Sequence, residues 1–212
     1  MSDLRDRTFP ERIAICETIP GYSGMEMLER LYEQARDAEP DGMNVEIGCL
    51  FGRSSVAIAR GLQDRDKGDV LTCIDPFTSW PGEEALRSYQ AQFGETPKEL
   101  AACFKGHMVA AEAKNFRHVM ARSDSASASK AVNGAVRFAF IDGDHRKDAV
   151  LNDVQLILPH LVEGSVVVFD DYGHNRGTWA VAEIVDELVR PISEPIYENM
   201  HGCVFFRIGG AK

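Results

Sequence analysis

Short apolar runs alternate with amphipathic stretches along most of the chain. Runs rich in Val, Ile and Phe are typical of buried parallel strands, and they lie at Met43–Ile47, Val70–Ile74, Phe116–Ala121, Val136–Ile141 and Ser165–Phe169. Apolar residues at helical spacing predict helices at Met25–Ala38, Ser54–Leu62, within Glu83–Asn115, and at Ser125–Val132, Asp148–Leu161 and Thr178–Val189. This alternation predicts an α/β fold in which right-handed crossovers join the parallel strands.

The end of the chain has a different pattern. The runs Pro195–Tyr197 and Cys203–Ile208 are separated by Glu-Asn-Met-His-Gly, which is compatible with an antiparallel hairpin. We therefore expect one Rossmann-like, doubly wound domain over residues 1–212, with a seven-stranded, mostly parallel sheet and an antiparallel C-terminal edge strand. Residues 1–40 would form an N-terminal arm and cap helix, and residues 41–212 the core. Such sheets bind ligands at the carboxyl ends of their strands, where the strand order reverses.

Composition narrows the function classes. The 212 residues are 44% hydrophobic and 26% charged, as expected for one ordinary globular domain. Lys and Arg total 23 against 33 Asp and Glu, so the net charge of −10 makes nucleic acid an unexpected partner. Five scattered cysteines without a CxxC pair favour a reducing compartment. A polar N-terminus and the lack of a long apolar run predict a cytoplasmic protein with no membrane partner.

A glycine-containing turn follows the first predicted strand. Gly48 and Gly52 lie four residues apart just before a helix, where backbone N–H groups favour an anionic ligand. The turn departs from the dinucleotide fingerprint because Leu50 replaces its second glycine. A plain strand-to-helix turn explains the two glycines equally well. Asp75 ends the second strand and is placed to accept both hydroxyls of a ribose, or to begin the loop at Pro76.

Four carboxylates follow two further apolar strands. Asp142 and Asp144 come after one strand, and Asp170 and Asp171 after the other. Clustered carboxylates repel unless a cation or shared protons compensate, and hard oxygen ligands favour Mg²⁺, Ca²⁺ or Mn²⁺. The alternative, that all four are solvated helix caps, is a poorer explanation of four acids at two strand ends. The sequence therefore predicts a divalent metal site.

An ordered set of motifs resembles the class I S-adenosylmethionine-dependent methyltransferases. More narrowly, the chain is similar to the divalent-metal-dependent O-methyltransferases, which include catechol, caffeoyl-CoA and natural-product sugar enzymes and the small bacterial methyltransferase-24 type. The resemblance extends from about Met25 to Tyr172. The motifs are Glu46-x-Gly48-x-x-x-Gly52-x-Ser54, Asp75, Ser123-Asp124, Asp142-x-Asp144-His145 and Asp170-Asp171.

The resemblance implies a site for the cofactor S-adenosyl-L-methionine. The turn Gly48–Gly52 would pass under its methionine part, Ser54 would contact the carboxylate, and Glu46 would help to orient the turn. Asp75 would hold the ribose hydroxyls, and the pair Ser123-Asp124 would meet the adenine edge. The full set implied to bind the cofactor is Glu46, Gly48, Gly52, Ser54, Asp75, Ser123, Asp124 and Asp142.

The resemblance also implies the metal ligands and the reaction. Asp142, Asp170 and Asp171 would hold a divalent metal, expected to be Mg²⁺, beside a hydroxyl that attacks the sulfonium methyl group in an SN2 step. Asp171 replaces the Asn that is typical of catechol enzymes, which favours the sugar-modifying relatives. His145, where catechol enzymes have lysine, is the preferred general base, although it also suits a supporting role for Asp142. Asp144 is the alternative base.

The expected substrate is a small hydroxylated molecule with vicinal oxygens, either a sugar or a catechol-like phenol. A metal-independent methyltransferase and a non-catalytic S-adenosylmethionine or nucleotide-binding module are the alternatives. Homodimers are common in the resembling families, so a homodimer is a further expectation. The loop Pro76–Gly82 is either a lid or a packing loop, and Tyr172, His174, Asn175 and Arg176 either line the acceptor pocket or form a polar loop. No role is assigned to His107, His118, His160 and His201.

Overall fold

The computed structural model describes residues 9–78, 92–94, 96–174 and 179–209. The strands are β1 (Met43–Ile47), β2 (Leu71–Ile74), β3 (Phe116–Val119), β4 (Val136–Ile141), β5 (Leu161–Phe169), β6 (Ser193–Met200) and β7 (Cys203–Ile208). The α-helices are α1 (Phe9–Ile13), α2 (Met25–Asp37), α3 (Arg53–Arg65), α4 (Pro97–Ala110), α5 (Ala126–Ala131), α6 (Lys147–Ile157) and α7 (Val181–Leu188). Short 3₁₀ helices cover Ala14–Thr18, Leu158–His160 and Arg190–Ile192.

The strands form one seven-stranded sheet in the order β3-β2-β1-β4-β5-β7-β6. The ladders between β1, β2, β3, β4 and β5 are all parallel, whereas β7 runs antiparallel to both β5 and β6. This sheet confirms the predicted fold class. The hairpin differs from the prediction in one detail: the antiparallel strand β7 lies between β5 and β6, so β6 is the edge strand. The strand order reverses between β1 and β4, so this is the switch point where a ligand is expected.

Several element bounds differ from the sequence prediction, and three of the differences have local reasons. β5 starts at Leu161, four residues before the predicted Ser165. The prediction missed this start because the exposed Glu163 and Gly164, which has φ +82°, interrupt the apolar pattern. β3 stops at Val119, where the Ala121 amide turns back to donate to the Val119 carbonyl at 2.9 Å. The helix predicted to reach Leu161 ends at Ile157, since a 3₁₀ turn with a proline in its first positions follows.

Successive residues of the central strands pack on opposite faces of the sheet. Phe138 and Phe140 join a core formed with apolar side chains of α2, α3 and α4. Ala139 and Ile141 face the second core, which α5, α6 and α7 cover. The sheet is thus buried on both sides, as a doubly wound fold requires. Its polar carboxyl edge is where ligands have access.

The fully buried Arg137 links α2 to the sheet. Its guanidinium donates to the backbone carbonyls of Ala35, Ala38 and Pro40 and to the Asn44 side chain, so carbonyls at the end of α2 find a partner. Burial lowers the pKa of Arg137 to about 10, which leaves it charged at neutral pH.

A second arginine fixes the segment ahead of α2. Arg53, the first residue of α3, donates from Nε to the Ser23 carbonyl at 2.8 Å and from Nη1 to the Ile19 carbonyl at 2.9 Å. These bonds hold residues 20–24 beside the turn that follows β1. The carboxyl edge of the sheet therefore has a wall contributed by the N-terminal part of the chain.

Several sequence predictions fall outside the described residues. They concern residues 1–8 of the N-terminal arm, residues 79–82 of the loop after β2, and Asn175, Arg176 and Thr178. Among the helices that the structure does describe, none is both long and apolar enough to cross a membrane.

Candidate active site

The turn after β1 is shaped by a close approach between two strand ends. Gly48 has φ +83°, and a Cβ on it would lie 1.9 Å from the carbonyl oxygen of Asp142. Only glycine fits this position without displacing backbone. Gly52 has φ +91° and precedes α3, and its amide donates to the Cys49 carbonyl at 2.8 Å. The first turn of α3 thus points its free N–H groups toward the carboxyl edge of the sheet.

Glu46 supports this turn from below. It is fully buried in β1 and accepts hydrogen bonds from the Ser54 hydroxyl at 2.6 Å and the Ser55 hydroxyl at 2.5 Å. Burial raises the pKa of Glu46 to about 7, while the two hydroxyls oppose that shift. Glu46 is placed to orient the turn rather than to line a cavity. Ser54, in contrast, reaches the wall of the larger cavity described below.

Glu46, Cys49 and Cys73 bring one ligand atom each within 4.8 Å of one another. This buried group is a poor metal site for two reasons. The carboxylate of Glu46 is already satisfied by the two serine hydroxyls. Burial also raises the pKa of both thiols, which disfavours the thiolate that a metal needs. The group is better described as packing beneath the turn.

Asp75, directly after β2, is bonded to the same turn. Its Oδ2 accepts from the Cys49 amide at 2.7 Å and the Leu50 amide at 2.9 Å, and its Oδ1 accepts from the Phe77 amide at 2.6 Å. Burial raises the pKa of Asp75, and these three backbone donors lower it. The structure therefore joins the ends of β1 and β2 through one carboxylate at the switch point.

Two cavities meet at Gly48. The smaller one, about 190 Å³, is lined by Asp75, Ser123 and Asp144 among others. The larger one, about 720 Å³, is bordered by Ser54, the segment 20–24 and the predicted metal ligands. The cleft thus runs along the carboxyl edge, past Gly48, where the ends of β1 and β4 approach so closely that a side chain is excluded.

Asp124, predicted beside Ser123, is not brought to the smaller cavity. It forms an exposed ion pair with Arg122, with Nη2 and Oδ2 3.1 Å apart, and this pair lowers the pKa of Asp124. The chain turns into α5 directly afterwards, where Ser125 accepts a hydrogen bond from the Ala128 amide. The local ion pair therefore holds the Asp124 carboxylate away from the predicted adenine edge.

The parallel register aligns the predicted metal ligands. The Asp142 amide donates to the Ile47 carbonyl at 2.8 Å, and the Asp170 amide donates to the Ile141 carbonyl at 3.0 Å, so both residues follow their strands at the same level. Asp171 has φ +55°, and its amide donates to Oδ1 of Asp170 at 2.9 Å. Burial raises the pKa of Asp142 well above its ordinary value, and the nearby carboxylates of Asp170 and Asp171 raise it further.

His145 lies against this group of carboxylates. Its Nε2 is 3.3 Å from Oδ2 of Asp171 and 3.5 Å from Oδ1 of Asp142. The imidazole ring packs on Trp179, with ring centroids 4.3 Å apart, and the His145 carbonyl accepts from the Ala180 amide at 2.9 Å. The histidine is thus fixed by its ring and by its backbone at the wall of the larger cavity.

Asp144 has a different environment. Its Oδ2 accepts from Nε of Arg146 at 2.8 Å, and its Oδ1 accepts from the Arg146 amide at 3.0 Å. Burial works to raise the pKa of Asp144, but these hydrogen bonds and the guanidinium charge lower it overall. The residue lines the smaller cavity and not the larger one. The structure therefore separates the two residues predicted as alternative bases.

Two histidines complete the wall of the larger cavity. His174, predicted there, places Nδ1 2.5 Å from Oδ1 of Asp171. His201, to which no role was assigned, lies on the β6–β7 turn and pairs with Glu26 at 2.7 Å. Because β7 runs antiparallel to β5, this turn lies at the carboxyl edge of the sheet. The predicted hairpin, whose link contains His201, is the sequence signal that could have placed this residue at the carboxyl edge.

Cys203 was given no role from the sequence, and Tyr172 was expected either to line the acceptor pocket or to lie in a polar loop. Cys203 begins β7, and its thiol lies 2.6 Å from Oδ1 of Asp170, at the cavity wall. Tyr172 instead donates its hydroxyl to Asp186 at 2.7 Å and accepts from Arg190. It therefore joins the loop after β5 to α7 and is not part of the described cavity wall.

Comparison with known proteins identifies the family to which the chain belongs. The family model described as "Methyltransferase domain" matches residues 45–172, more than half of the chain. Among curated proteins, uncharacterized protein R132 of Acanthamoeba polyphaga mimivirus is 38% identical over 58 residues. That alignment spans 27% of this chain and only 26% of the viral protein.

Solved structures share the fold at low sequence identity. The O-methyltransferase NovP superposes with a TM-score of 0.69 at 18% identity, covering 88% of this chain and 81% of NovP. The methyltransferase PaMTH1 of Podospora anserina, with SAH bound, gives 0.64 at 14% identity, covering 99% and 89% of the two chains. MycE, in complex with Mg, SAH and mycinamycin VI, gives 0.58 at 13% identity, covering 98% of this chain and 55% of MycE.

The matched segment begins within β1 and ends just after the second aspartate pair, so it contains the glycine turn, Asp75 and the three predicted metal ligands. It confirms the family resemblance inferred from the ordered motifs. The chain belongs to the methyltransferase-24 family of methyltransferase domains.

Proposed function

We propose that this protein transfers the methyl group of S-adenosyl-L-methionine to a hydroxyl oxygen of a small molecule with vicinal oxygens, aided by Mg²⁺. The observation that carries the proposal is the position of the three aspartates and His145 on the larger cavity, directly beyond Gly48 and the smaller cavity. The nucleoside part of the donor would lie in the smaller cavity, and its methyl group would extend past Gly48 to the acceptor hydroxyl in the larger cavity.

The cofactor part of the proposal rests on the two connected cavities. S-adenosylmethionine supplies an electrophilic methyl group when bound. Gly48 lines both cavities, and the N–H groups at the start of α3 favour the carboxylate of the cofactor. Asp75 is an acceptor suited to ribose hydroxyls, which would replace or share its present backbone donors. The SAH in PaMTH1, which has the same fold, supports this choice of ligand.

The metal part of the proposal rests on the donor set. The carboxylates of Asp142, Asp170 and Asp171 offer oxygen ligands, which suit a hard divalent cation. Burial, and then the proximity of the other two carboxylates, raises the pKa of Asp142, and a cation would relieve the repulsion among the three. A bound Mg²⁺ would lower the pKa of a coordinated substrate hydroxyl and orient it. The Mg in the MycE complex supports this assignment.

We infer that His145 takes the proton from the acceptor hydroxyl at Nε2. This nitrogen lies beside the carboxylates that would hold the metal, and Trp179 fixes the ring plane. Asp144 is less suited, because Arg146 occupies its carboxylate and it faces the smaller cavity. Fixed donors and a fixed base reduce the reorganisation needed for an in-line SN2 transfer.

The acceptor is proposed to be a neutral ring with adjacent hydroxyls, either a sugar or a phenol. Tyr22, whose side chain is 62% exposed, and the partly buried Trp179 border the larger cavity and offer flat apolar surfaces for such a ring. The net charge of −10 supports a small molecule rather than nucleic acid as the partner. A homodimer and a cytoplasmic location stay predictions.

The proposal is tested by following SAH formation from S-adenosylmethionine with catechol and with simple sugars as acceptor probes. We expect turnover with Mg²⁺, its loss with EDTA, and its loss in Asp170→Asn but not in Asp148→Asn. Asp148 is an exposed aspartate in the first turn of α6 and so serves as the matched control. Turnover that survives both EDTA and Asp170→Asn would establish a metal-independent methyltransferase. Failure to bind S-adenosylmethionine would overturn the proposal altogether.

A further inference from the structure

The smaller cavity contains a buried carboxyl group that the proposed reaction does not use. Asp153 lies on α6 and is only 3% exposed, and it lines this cavity together with Ala149, one helical turn earlier. A Cβ placed on Gly143 would lie 2.6 Å from Oδ2 of Asp153, so the carboxyl group reaches the turn that follows β4. Asp153 thus forms part of the cavity wall between α6 and the turn after β4.

A buried carboxyl group is unfavourable unless a partner compensates it. The pKa of Asp153 is raised to about 7, chiefly by burial and in smaller part by the nearby acids Asp144 and Asp124. A hydrogen bond from Ser123 and the positive charge of Arg122 oppose the shift. Ser123 also lines the cavity, so the serine and the carboxyl group present adjacent polar atoms to any ligand there.

The other carboxylates of this region are already engaged with the protein. Asp75 accepts three backbone hydrogen bonds, and Asp144 is held by Arg146. Asp124, predicted at the adenine edge, is paired with Arg122 and is not among the residues that line the cavity. Asp153 is therefore the carboxyl group best placed to accept a hydrogen bond from a ligand in the smaller cavity.

We propose that Asp153 accepts a hydrogen bond from the exocyclic amino group of the cofactor's purine ring and thereby selects an amino purine over an oxo purine. This inference rests on the proposed use of S-adenosylmethionine. An ionised carboxylate only accepts hydrogen bonds, so it would face the oxygen of a 6-oxo purine without a proton between them. Asp153 acts here as a specificity-determining residue that leaves the methyl-transfer step to the larger cavity.

The experiment compares two ligands by calorimetry, SAH and its 6-oxo analogue S-inosylhomocysteine. We expect the native protein to bind SAH about 10- to 100-fold more tightly, the range for one hydrogen bond to a charged group. In Asp153→Asn the preference should fall toward unity, because an amide can donate to the oxo group as well as accept. Asp148→Asn, the matched control at an exposed position in the first turn of the same helix, should keep the native preference. A purely structural role for Asp153 would weaken both ligands together and leave their ratio unchanged.

A pH series on the native protein gives the same test without a variant. Lowering the pH from about 8 to about 6 protonates more of Asp153, which can then donate to the oxo group, so the preference for SAH should shrink. Three charged groups face Asp153. The pKa values of Asp124 and Asp144 are lowered from that of an ordinary aspartate, so both stay ionised throughout this pH range, and Arg122, whose pKa is raised, stays charged. SAH binding with a preference that neither Asp153→Asn nor pH alters would overturn this inference alone. No SAH binding at all would overturn the proposed function first.

Discussion

Replacing Gly48 by alanine should disrupt the contact between the ends of β1 and β4. The new Cβ would lie 1.9 Å from the Asp142 carbonyl oxygen and 2.5 Å from its carbon, which are distances that backbone atoms cannot accommodate without moving. The residue also has φ +83°, a conformation that costs alanine about 1–2 kcal/mol. Both effects act at the point where the two cavities meet.

Gly68 allows the two contributions to be separated. It has φ +72°, but nothing lies within 4 Å of a Cβ built on it. Gly68→Ala should therefore cost only the conformational term, about 1–2 kcal/mol. Gly48→Ala adds overpacking of about 1–3 kcal/mol, for a total of roughly 2–5 kcal/mol. For a chain of this size each kcal/mol lowers Tm by about 2–4 °C.

The assay is thermal unfolding of both variants beside the native protein, followed by SAH titration of each. We expect the decrease in Tm for Gly48→Ala to be at least about twice the decrease for Gly68→Ala. Gly48→Ala should also bind SAH more weakly, whereas Gly68→Ala should bind SAH as the native protein does. Equal Tm losses for the two variants would refute the close approach of β1 and β4. An unchanged SAH affinity in Gly48→Ala would refute the placement of the cofactor over this turn.

Three further predictions concern single side chains. His145→Ala should lower kcat by about 10²–10⁴-fold without weakening SAH binding. The rate is measured by single-turnover kinetics. If only Asp144→Asn shows a comparable loss of rate, Asp144 is the general base instead. Asp75→Ala should weaken SAH binding in calorimetry, whereas Asp124→Ala, already outside the cavity, should not; equal effects would contradict the ribose assignment. Burial raises the pKa of Glu46 from 4.5 to about 7, so the folded protein holds a proton there that the unfolded chain releases. The free energy of unfolding should therefore fall as pH rises from about 4.5 to about 7. In urea unfolding, Glu46→Gln should make this dependence on pH weaker. An unchanged dependence on pH in the variant would contradict the raised pKa of Glu46.

The sheet was largely predictable because each central strand is a short run rich in apolar residues. The bounds of β1, β4 and β7 match the sequence prediction, since polar or glycine residues end each run abruptly. The length of β5 was underestimated because an exposed glutamate and a glycine with positive φ lie among its first residues. The antiparallel hairpin was predicted, but the insertion of β7 between β5 and β6 depends on packing that a local pattern does not encode.

The candidate site was predictable wherever a residue's position follows from the strand it ends. Asp142 and Asp170 come together because parallel neighbours end at one edge. Side-chain direction was not predictable in this way. Asp124 turns away because Arg122, two residues earlier, pairs with it. Asp153 was missed because an acid inside an amphipathic helix is normally exposed, and only the tertiary fold buries it.

The most direct test of the central claim is calorimetric titration of the purified protein with S-adenosylmethionine, once with Mg²⁺ and once with EDTA, with thermal unfolding in parallel. We predict binding in both conditions and an additional stabilisation with Mg²⁺, because the cofactor turn and the three aspartates are separate parts of one cleft. At about 100 times Kd, each ligand should add about 2.7 kcal/mol to the free energy of unfolding. Absence of S-adenosylmethionine binding in both conditions would contradict the account.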